Sequence, residues 1–243
     1  IINEDTSKRI IEAAVPVGVV MGITPTTNPT STVIHNTLVA VKSGNAIVFA
    51  PHPNAIKCSC AAAQLLQDAA LKAGGPAGLV NCLSKTSMQA TEELMKNSNI
   101  SVIVATGGSA MVRAAYSAGK PAFGVGPGNV PVFIERSADV KQAVKDIITS
   151  KTFDNGMICA SEQAILADEP IKDEILSELK RQGAYVMNAE ETAKVSAAVM
   201  TPKCGMNAAL VGRTPQYIAD KVGITIPSGT KLLIAPLDGY GSQ

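Results

Sequence analysis

A strand, a polar turn and a helix follow one another in residues 15–41, which read VPVGVVMGITPTTNPTSTVIHNTLVAV. Residues 15–24 form a continuous apolar run, which is typical of strands buried in parallel sheets. Residues 31–41 then predict a helix. The polar turn between them falls at the carboxyl end of the strand, the place where α/β proteins bind their ligands. This segment therefore predicts a parallel sheet and the position of a site on it.

The same alternation of strands and helices continues along the chain. Further strands are expected at residues 45–50, 79–83, 100–105, 121–125 and 130–134, and further helices at residues 54–73, 87–96, 109–118 and 138–150. The pattern then restarts, with strands at residues 163–167 and 231–235 and helices at residues 171–182, 189–199 and 215–222. Such alternation gives a parallel sheet with helices on both faces. We expect an α/β fold with two domains, residues 1–150 and residues 151–243.

Both ends of the chain predict an incomplete fold. Residues 1–14 predict a helix that the chain enters partway, and residues 239–243 follow directly on a strand. The first residues lack the basic region of a signal peptide, and no apolar run is long enough to span a bilayer. We therefore expect a fold truncated at both ends, with no membrane partner.

Charge and cysteine content narrow the classes of function. The chain has 21 basic and 20 acidic residues, and this balance argues against a nucleic-acid partner. Its five cysteines, Cys58, Cys60, Cys82, Cys159 and Cys204, do not have the spacing of zinc ligands. An odd number of irregularly spaced cysteines indicates reduced thiols, a cytoplasmic location and no metal site.

One cysteine lies in a sequence context unlike that of the others. Cys159 follows the turn signal Asp154-Asn155-Gly156 and is flanked by small and polar residues. A thiolate held beside backbone N–H groups is a ready nucleophile toward a carbonyl carbon. The alternative is a buried structural cysteine, the interpretation that we favour for the other four. For Cys159 the local context leaves the two interpretations evenly balanced.

Three further turns follow strands and are suited to a ligand. Residues 23–31 offer Thr and Asn side chains together with the N–H groups of a helix start, which attract an anion. Thr106-Gly107-Gly108-Ser109 lets the backbone approach a pyrophosphate, although it is not a G-x-G-x-x-G fingerprint. Residues 124–129 form a dense glycine turn. Each turn also fits an ordinary helix cap or strand connection, so none identifies a function alone.

Taken together and in this order, the four turns resemble those of the aldehyde dehydrogenase superfamily. In detail they resemble its coenzyme A-acylating branch, including the aldehyde dehydrogenase half of bifunctional aldehyde-alcohol dehydrogenases. The most specific matches are residues 24–32 and 153–163, and the likeness covers essentially the whole chain. The supporting matches are residues 16–20, 50–53, 106–108 and 124–129.

The resemblance implies a Rossmann-like nicotinamide-binding domain in residues 1–150, a partial catalytic domain in residues 151–243, and a homo-oligomer. It implies that Cys159 is the catalytic nucleophile and that Thr27 or Asn28 helps to stabilise the oxyanion. The implied cofactor-binding residues are Ile23, Thr24, Pro25, Thr26, Thr27, Asn28, Pro51, His52, Gly107, Gly108 and Gly126.

The implied cofactor is NAD, with coenzyme A as co-substrate. An acidic residue after the second strand often binds the ribose 2′-hydroxyl and excludes a 2′-phosphate. Residues 51–54, Pro-His-Pro-Asn, contain no acidic residue, so NADP remains open. His52 is either a contact to the adenosine or a solvated loop histidine, and His35 is expected to be a packing or surface residue.

One departure from the hydrolytic branch favours a thiol as acyl acceptor. Members of that branch carry a sequence like Glu-Leu-Gly-Gly where this chain has Val125-Gly126-Pro127-Gly128. The glutamate there acts as general base for water, and a valine cannot take this role. We predict an oxidoreductase that converts an aldehyde, acetaldehyde by default, with coenzyme A and NAD into acyl-CoA and NADH. The alternatives are a hydrolytic enzyme in which Glu162 or Asp154 replaces the glutamate, and a non-catalytic module of the same fold.

Overall fold

The computed structural model describes residues 2–126, 128–202, 205–237 and 239. The chain divides into two compact units, unit 1 with residues 1–127 and unit 2 with residues 128–243. The division comes before the limit at residue 150 that we expected. The reason is that the helix at residues 140–152 shares a hydrophobic core with later elements of unit 2.

Unit 1 begins with a hairpin of two strands, β1 (Asn3–Asp5) and β2 (Ile10–Glu12). The helix that we predicted for residues 1–14 is therefore wrong. The Asp5 carboxylate accepts hydrogen bonds from the backbone N–H groups of Ser7 and Lys8, both over 3.1 Å. Arg9 then adopts a positive φ of 55°. This aspartate turn reverses the chain where a helix would continue.

A five-stranded parallel sheet forms the centre of unit 1. Its strands are β3 (Val19–Thr24), β4 (Ala46–Pro51), β5 (Val80–Cys82), β6 (Ile100–Thr106) and β7 (Ala122–Val125), in the spatial order β5-β4-β3-β6-β7. β3 is central and almost fully buried, as its apolar sequence predicts. Gly22 is needed here, because a Cβ atom at this position would lie 2.7 Å from the ring of Phe49. The predicted α/β fold with a parallel sheet is confirmed.

Four helices cover the two faces of this sheet. They are α1 (Pro29–Lys42), α2 (Ile56–Lys72), α3 (Met88–Lys96) and α4 (Ser109–Tyr116), with a 3₁₀ turn at Pro53–Ala55 before α2. One core cluster joins Val20 and Phe49 to α1 and α2, and a second joins Met21 and Ile103 to α3 and α4. Successive residues of a strand point to opposite faces, so β3 contributes to both clusters.

Within its described residues, unit 2 contains two separate pairs of parallel strands and four α-helices. The elements in chain order are β8 (Pro131–Ile134), α5 (Val140–Thr152), β9 (Ala164–Ala167), α6 (Lys172–Arg181), β10 (Ala184–Val186), α7 (Ala189–Val199), α8 (Pro215–Val222) and β11 (Leu232–Ile234). β8 pairs with β9, and β10 pairs with β11. Strand β10 was not predicted, because three residues directly after a helix leave little pattern to detect. Among the described residues, no helix has the length and apolar character needed to cross a bilayer.

Candidate active site

The carboxyl ends of four strands of unit 1 lie side by side. Thr24 is in register with Pro51, and its carbonyl accepts the N–H of His52 over 3.1 Å. On the other side of β3, Gly107 N–H donates to the carbonyl of Val125 over 3.1 Å. The predicted cofactor-binding residues, which are spread between positions 23 and 126 of the sequence, therefore lie along one edge of the sheet. We call it the cofactor edge: residues 23–28, 51–52, 107–108 and 126.

The strand order places a topological switch point in the middle of this edge. From β3 the chain moves to β4 and β5 on one side, and then returns to β6 and β7 on the other. The connections that follow β3 and β6 therefore lead away from each other and leave a crevice between them. Ligands of open α/β sheets bind in such crevices.

Two helices begin at this crevice, and no side chain of the described residues caps the N-terminus of either. Asn28 precedes α1 and Gly108 precedes α4, and neither makes a side-chain cap hydrogen bond. A Cβ atom on Gly108 would find no neighbouring atom within 4 Å, so there is open space beside the start of α4. Free N–H groups and the positive end of the helix dipole attract an anion. The edge is therefore suited to a dinucleotide pyrophosphate.

Some polar groups of the turn after β3 have no hydrogen-bond partner among the described residues. Thr27 donates its hydroxyl hydrogen to Asn28 Oδ1 over 3.1 Å. Among the described residues no acceptor takes the amide N–H₂ of the half-buried Asn28. The buried hydroxyl of Thr24 also lacks a partner in this part of the chain. Buried side-chain atoms without a partner occur elsewhere in the described residues too, so the Thr24 hydroxyl is available to a ligand but does not by itself indicate one.

The two histidines have different surroundings. His52 is exposed at the cofactor edge, where its Nδ1 accepts the N–H of Asn54 over 3.2 Å and caps the 3₁₀ turn. This contact uses Nδ1 and does not involve the second ring nitrogen, Nε2. His35 is exposed on α1, as expected of a surface residue.

Cys159 belongs to unit 2 and lies in a strained turn after α5. Asp154, Asn155 and Gly156 have φ values of 48°, 51° and 69°, so three consecutive residues are left-handed. The side chain of Asn155 holds this conformation by donating to the carbonyl of Gly212 over 3.2 Å. We call residues 154–161 the nucleophile turn. Left-handed non-glycine residues are costly and collect at functional sites.

The end of the nucleophile turn presents the thiol to solvent. The carbonyl of Ile158 accepts both the N–H of Ser161, over 3.2 Å, and its hydroxyl, over 2.9 Å. This β-turn places Cys159 and Ala160 at its tip, and both are exposed. No acceptor among the described residues takes the N–H of either tip residue. An exposed thiol beside free N–H donors is suited to attack a carbonyl group and to hold the resulting oxyanion.

Two charged residues, Lys151 and Glu162, flank the nucleophile turn, and sequence reasoning missed Lys151. Lys151 is half-buried and donates to Ser161 Oγ over 3.4 Å. Burial lowers the pKa of Lys151, while the Glu162 carboxylate acts in the opposite direction. Oε2 of Glu162 is buried without a hydrogen-bond partner in the described part of the chain. Lys151 gave no signal in the sequence, because a lysine in the last turn of a helix is common.

The other cysteines do not have the uniform burial that we predicted. Cys58 is exposed, because it lies on the solvent side of α2, so its prediction as a buried residue is wrong. Cys60 and Cys82 are partly buried, and their sulfur atoms are 3.3 Å apart. Burial and the contact with Cys60 raise the pKa of the Cys82 thiol, which therefore stays protonated. Cys204 lies outside the described residues.

Sequence and structure comparisons agree with this geometry. The model of the aldehyde dehydrogenase family matches residues 1–209. The chain is 46% identical to aldehyde-alcohol dehydrogenase 2 of Entamoeba histolytica, over 97% of this chain and 28% of that protein. It is 55% identical to the crystal structure of an acetylating aldehyde dehydrogenase from Geobacillus thermoglucosidasius, with a TM-score of 0.93, over 99% of this chain and 53% of that chain.

A third relative is Rhodopseudomonas palustris propionaldehyde dehydrogenase, solved with bound propionyl-CoA. It is 34% identical with a TM-score of 0.85, over 93% of this chain and 50% of that chain. The chain belongs to the aldehyde dehydrogenase family. The names of these relatives confirm the predicted resemblance to the coenzyme A-acylating branch. The chain spans about half the length of these solved relatives.

Proposed function

We propose that this chain supplies the nicotinamide-binding site and the nucleophile of an acylating aldehyde dehydrogenase. The reaction converts an aldehyde, coenzyme A and NAD into acyl-CoA and NADH, and it is reversible. The observation that carries the proposal is the exposed Cys159 at the tip of a strained turn, beside backbone N–H groups that lack acceptors among the described residues. Relatives named acetylating aldehyde dehydrogenases support it.

The cysteine has two tasks in this reaction. Its thiolate attacks the aldehyde carbon, a C–S bond forms, and the carbonyl oxygen becomes an oxyanion that the N–H of Cys159 stabilises. Thr27 or Asn28 as a second donor to the oxyanion remains a prediction from the sequence. The bound nicotinamide supplies the hydride acceptor. In the second task Cys159 is the leaving group, because the thiol of coenzyme A attacks the thioester and releases acyl-CoA.

Three positions that could supply a general base for water favour a thiol as the acyl acceptor instead. Val125, at the end of β7, has no group that accepts a proton. Glu162, the first alternative base, has one carboxylate oxygen buried inside the protein. Asp154, the second, is held in a left-handed conformation with an exposed side chain. Because none of these supports an activated water, we infer that the thioester survives until coenzyme A arrives.

The cofactor edge supports NAD as the cofactor and leaves NADP open. Its two helix N-termini suit the pyrophosphate that both cofactors contain. The end of β4, with the buried Pro51 and the exposed His52, has no carboxylate to repel a 2′-phosphate. We propose a homo-oligomer as well, which size-exclusion chromatography tests.

The proposed location is cytoplasmic. Cys60 and Cys82 remain free thiols with sulfur atoms 3.3 Å apart, which suits a reducing compartment.

The test is NADH formation from acetaldehyde, followed with and without coenzyme A in the complete protein that carries this sequence. We expect coenzyme A-dependent turnover that falls by at least about a thousandfold in Cys159→Ala, because the covalent route is lost. Cys58→Ala, which removes another exposed cysteine, is the matched control and should keep full activity. Turnover without coenzyme A would instead indicate the hydrolytic branch. No turnover with any of a panel of aldehydes would favour the non-catalytic module.

A further inference from the structure

One lysine beneath the nucleophile has no part in the chemistry described above. Lys151 lies in the last turn of α5 and extends under the nucleophile turn. A Cβ atom built on Gly156 would lie 3.3 Å from Lys151 Cε and 3.5 Å from its Nζ, so the backbone of the turn covers this side chain. The same Nζ donates to Ser161 Oγ over 3.4 Å. The ammonium group is therefore enclosed between Gly156 and Ser161.

Ser161 connects the Lys151 side chain to the backbone of the nucleophile turn. Its side chain is 1% exposed, so water does not compete for its hydroxyl. Oγ accepts from Lys151 and donates to the carbonyl of Ile158 over 2.9 Å. That carbonyl and the N–H of Cys159 belong to one planar peptide group. A contact that fixes the carbonyl therefore also fixes the direction of the N–H.

Among the described residues, no ion pair competes with Ser161 for the Lys151 ammonium group, because no carboxylate approaches it closely enough. Glu162 acts on it only at longer range and favours the charged form. The contact with Ser161 is 3.4 Å long, at the outer limit of hydrogen-bond length, so it orients the hydroxyl group rather than binding it strongly.

We propose that Lys151 is a positioning residue that, through the Ser161 hydroxyl, fixes the peptide group between Ile158 and Cys159 and aims the Cys159 N–H at the oxyanion. The proposal rests on the proposed function of Cys159 as nucleophile. Lys151 touches neither the substrate nor the cofactor in this role. It acts on the rate of the chemical step and not on binding.

The test compares Lys151→Met, Ser161→Ala and the double variant in the complete protein. We expect each single variant to lower kcat by roughly 10- to 100-fold, because loss of an oxyanion donor outright costs about 10²–10³ in kcat. The KM for NAD should stay within about twofold, since the cofactor edge is untouched. The double variant should lose no more than the worse single variant, because both act through one relay.

Three controls separate this role from a structural one. Lys145→Met changes an exposed lysine of the same helix and should leave kcat unchanged. Lys151→Arg keeps the charged donor and should recover a substantial part of kcat. Alkylation of Cys159 by iodoacetamide, which forms no oxyanion, should change less than about threefold in Lys151→Met, whereas a collapsed turn would alter it strongly.

The outcomes are distinct. Unchanged kcat in both single variants, or losses that add in the double variant, would overturn the role of Lys151 and leave the proposed function intact. Turnover that survives Cys159→Ala would overturn the proposed function and this proposal together. If Lys151→Met fails to fold, Ser161→Ala decides alone, because it removes the relay and only one hydroxyl group.

Discussion

Backbone conformation at single residues sets the nucleophile in place. The left-handed run Asp154, Asn155 and Gly156 ends α5 and turns the chain within three residues. Only the last of the three is a glycine, so the first two hold a conformation that disfavours side chains. The cost of the left-handed conformation at Asn155 is offset by its hydrogen bond to the carbonyl of Gly212. The Asp154 side chain makes no hydrogen bond among the described residues.

Substitution of Asp154 measures this strain. We expect Asp154→Val to lower the free energy of unfolding by about 1–3 kcal/mol, because a β-branched residue tolerates a positive φ poorly. Asp154→Gly is the matched control and should stay within about 1 kcal/mol, since glycine adopts this conformation freely and loses more entropy on folding. Urea unfolding followed by circular dichroism gives both values. Equal stability of the two variants would contradict a left-handed conformation here.

Cys159 and Lys151 show which residues can be predicted from sequence. The turn signal Asp-Asn-Gly and its small, polar neighbours singled out Cys159, and the structure places its thiol at an exposed tip. Lys151 lies eight positions earlier at the end of an ordinary amphipathic helix. Its contact with Ser161 arises only when the left-handed turn folds back over α5. Local pattern therefore singles out the proposed nucleophile, whereas its contact with Lys151 and Ser161 can be found only from the tertiary turn.

At the scale of elements, the starts of α1 and α4 are the features that support the proposed cofactor site. Each follows a central strand, and each has an N-terminus without a side-chain cap. An N-cap side chain typically adds about 1 kcal/mol to stability, so its omission at both helices leaves donors free for a ligand. The same two turns were predicted from sequence, because strand ends followed by glycine, threonine and asparagine are visible there.

Gly108 allows the anion site to be tested by charge alone. We expect Gly108→Glu to raise the KM for NAD by about tenfold or more, since a carboxylate at the start of α4 repels a pyrophosphate. Gly108→Gln has nearly the same size without the charge and should have a much smaller effect. Open space beside this position means that neither side chain should disturb the fold. An equal rise in KM for both variants would show that bulk, and not charge, is responsible.

The errors at this scale have physical causes. We predicted a helix for residues 1–14, but the Asp5 carboxylate accepts the N–H groups of Ser7 and Lys8 in the turn of a hairpin. The short strand β10 is stabilised by its parallel pairing with β11, about 48 residues later in the sequence. Neither the competing side-chain hydrogen bond nor the distant partner strand is visible in a local pattern.

At the scale of the whole molecule, the chain consists of two units that meet in sequence at a short glycine-containing segment. Gly126, Gly128 and Asn129 are exposed on the two sides of the division. Core clusters lie within one unit or the other, which explains why the boundary follows packing rather than the end of a helix. Sequence alone could not locate it, because α5 is amphipathic whichever unit it joins.

Limited proteolysis tests this division. Elastase, which cuts after small residues, should make its first cut between Val125 and Val130 and release two fragments that resist further cleavage. Mass spectrometry of the early products identifies the site. A first cut inside α5, near residue 150, would show instead that the division lies where the sequence pattern suggested.

The residues of the cofactor edge are brought together only by the correct strand register, so the edge distinguishes the native sheet from a misregistered one. Its residues come from four turns, spread between positions 23 and 126, that align only when every strand pairs correctly. A slip of one residue between β3 and β4 would separate Thr24 from Pro51 and turn the side chains of β4 to the opposite face. Such a misfolded form would still be compact, but it would lack the proposed dinucleotide site. If the proposed site binds a dinucleotide, its affinity reports whether the sheet has the correct register, and the bound dinucleotide stabilises that register over the others.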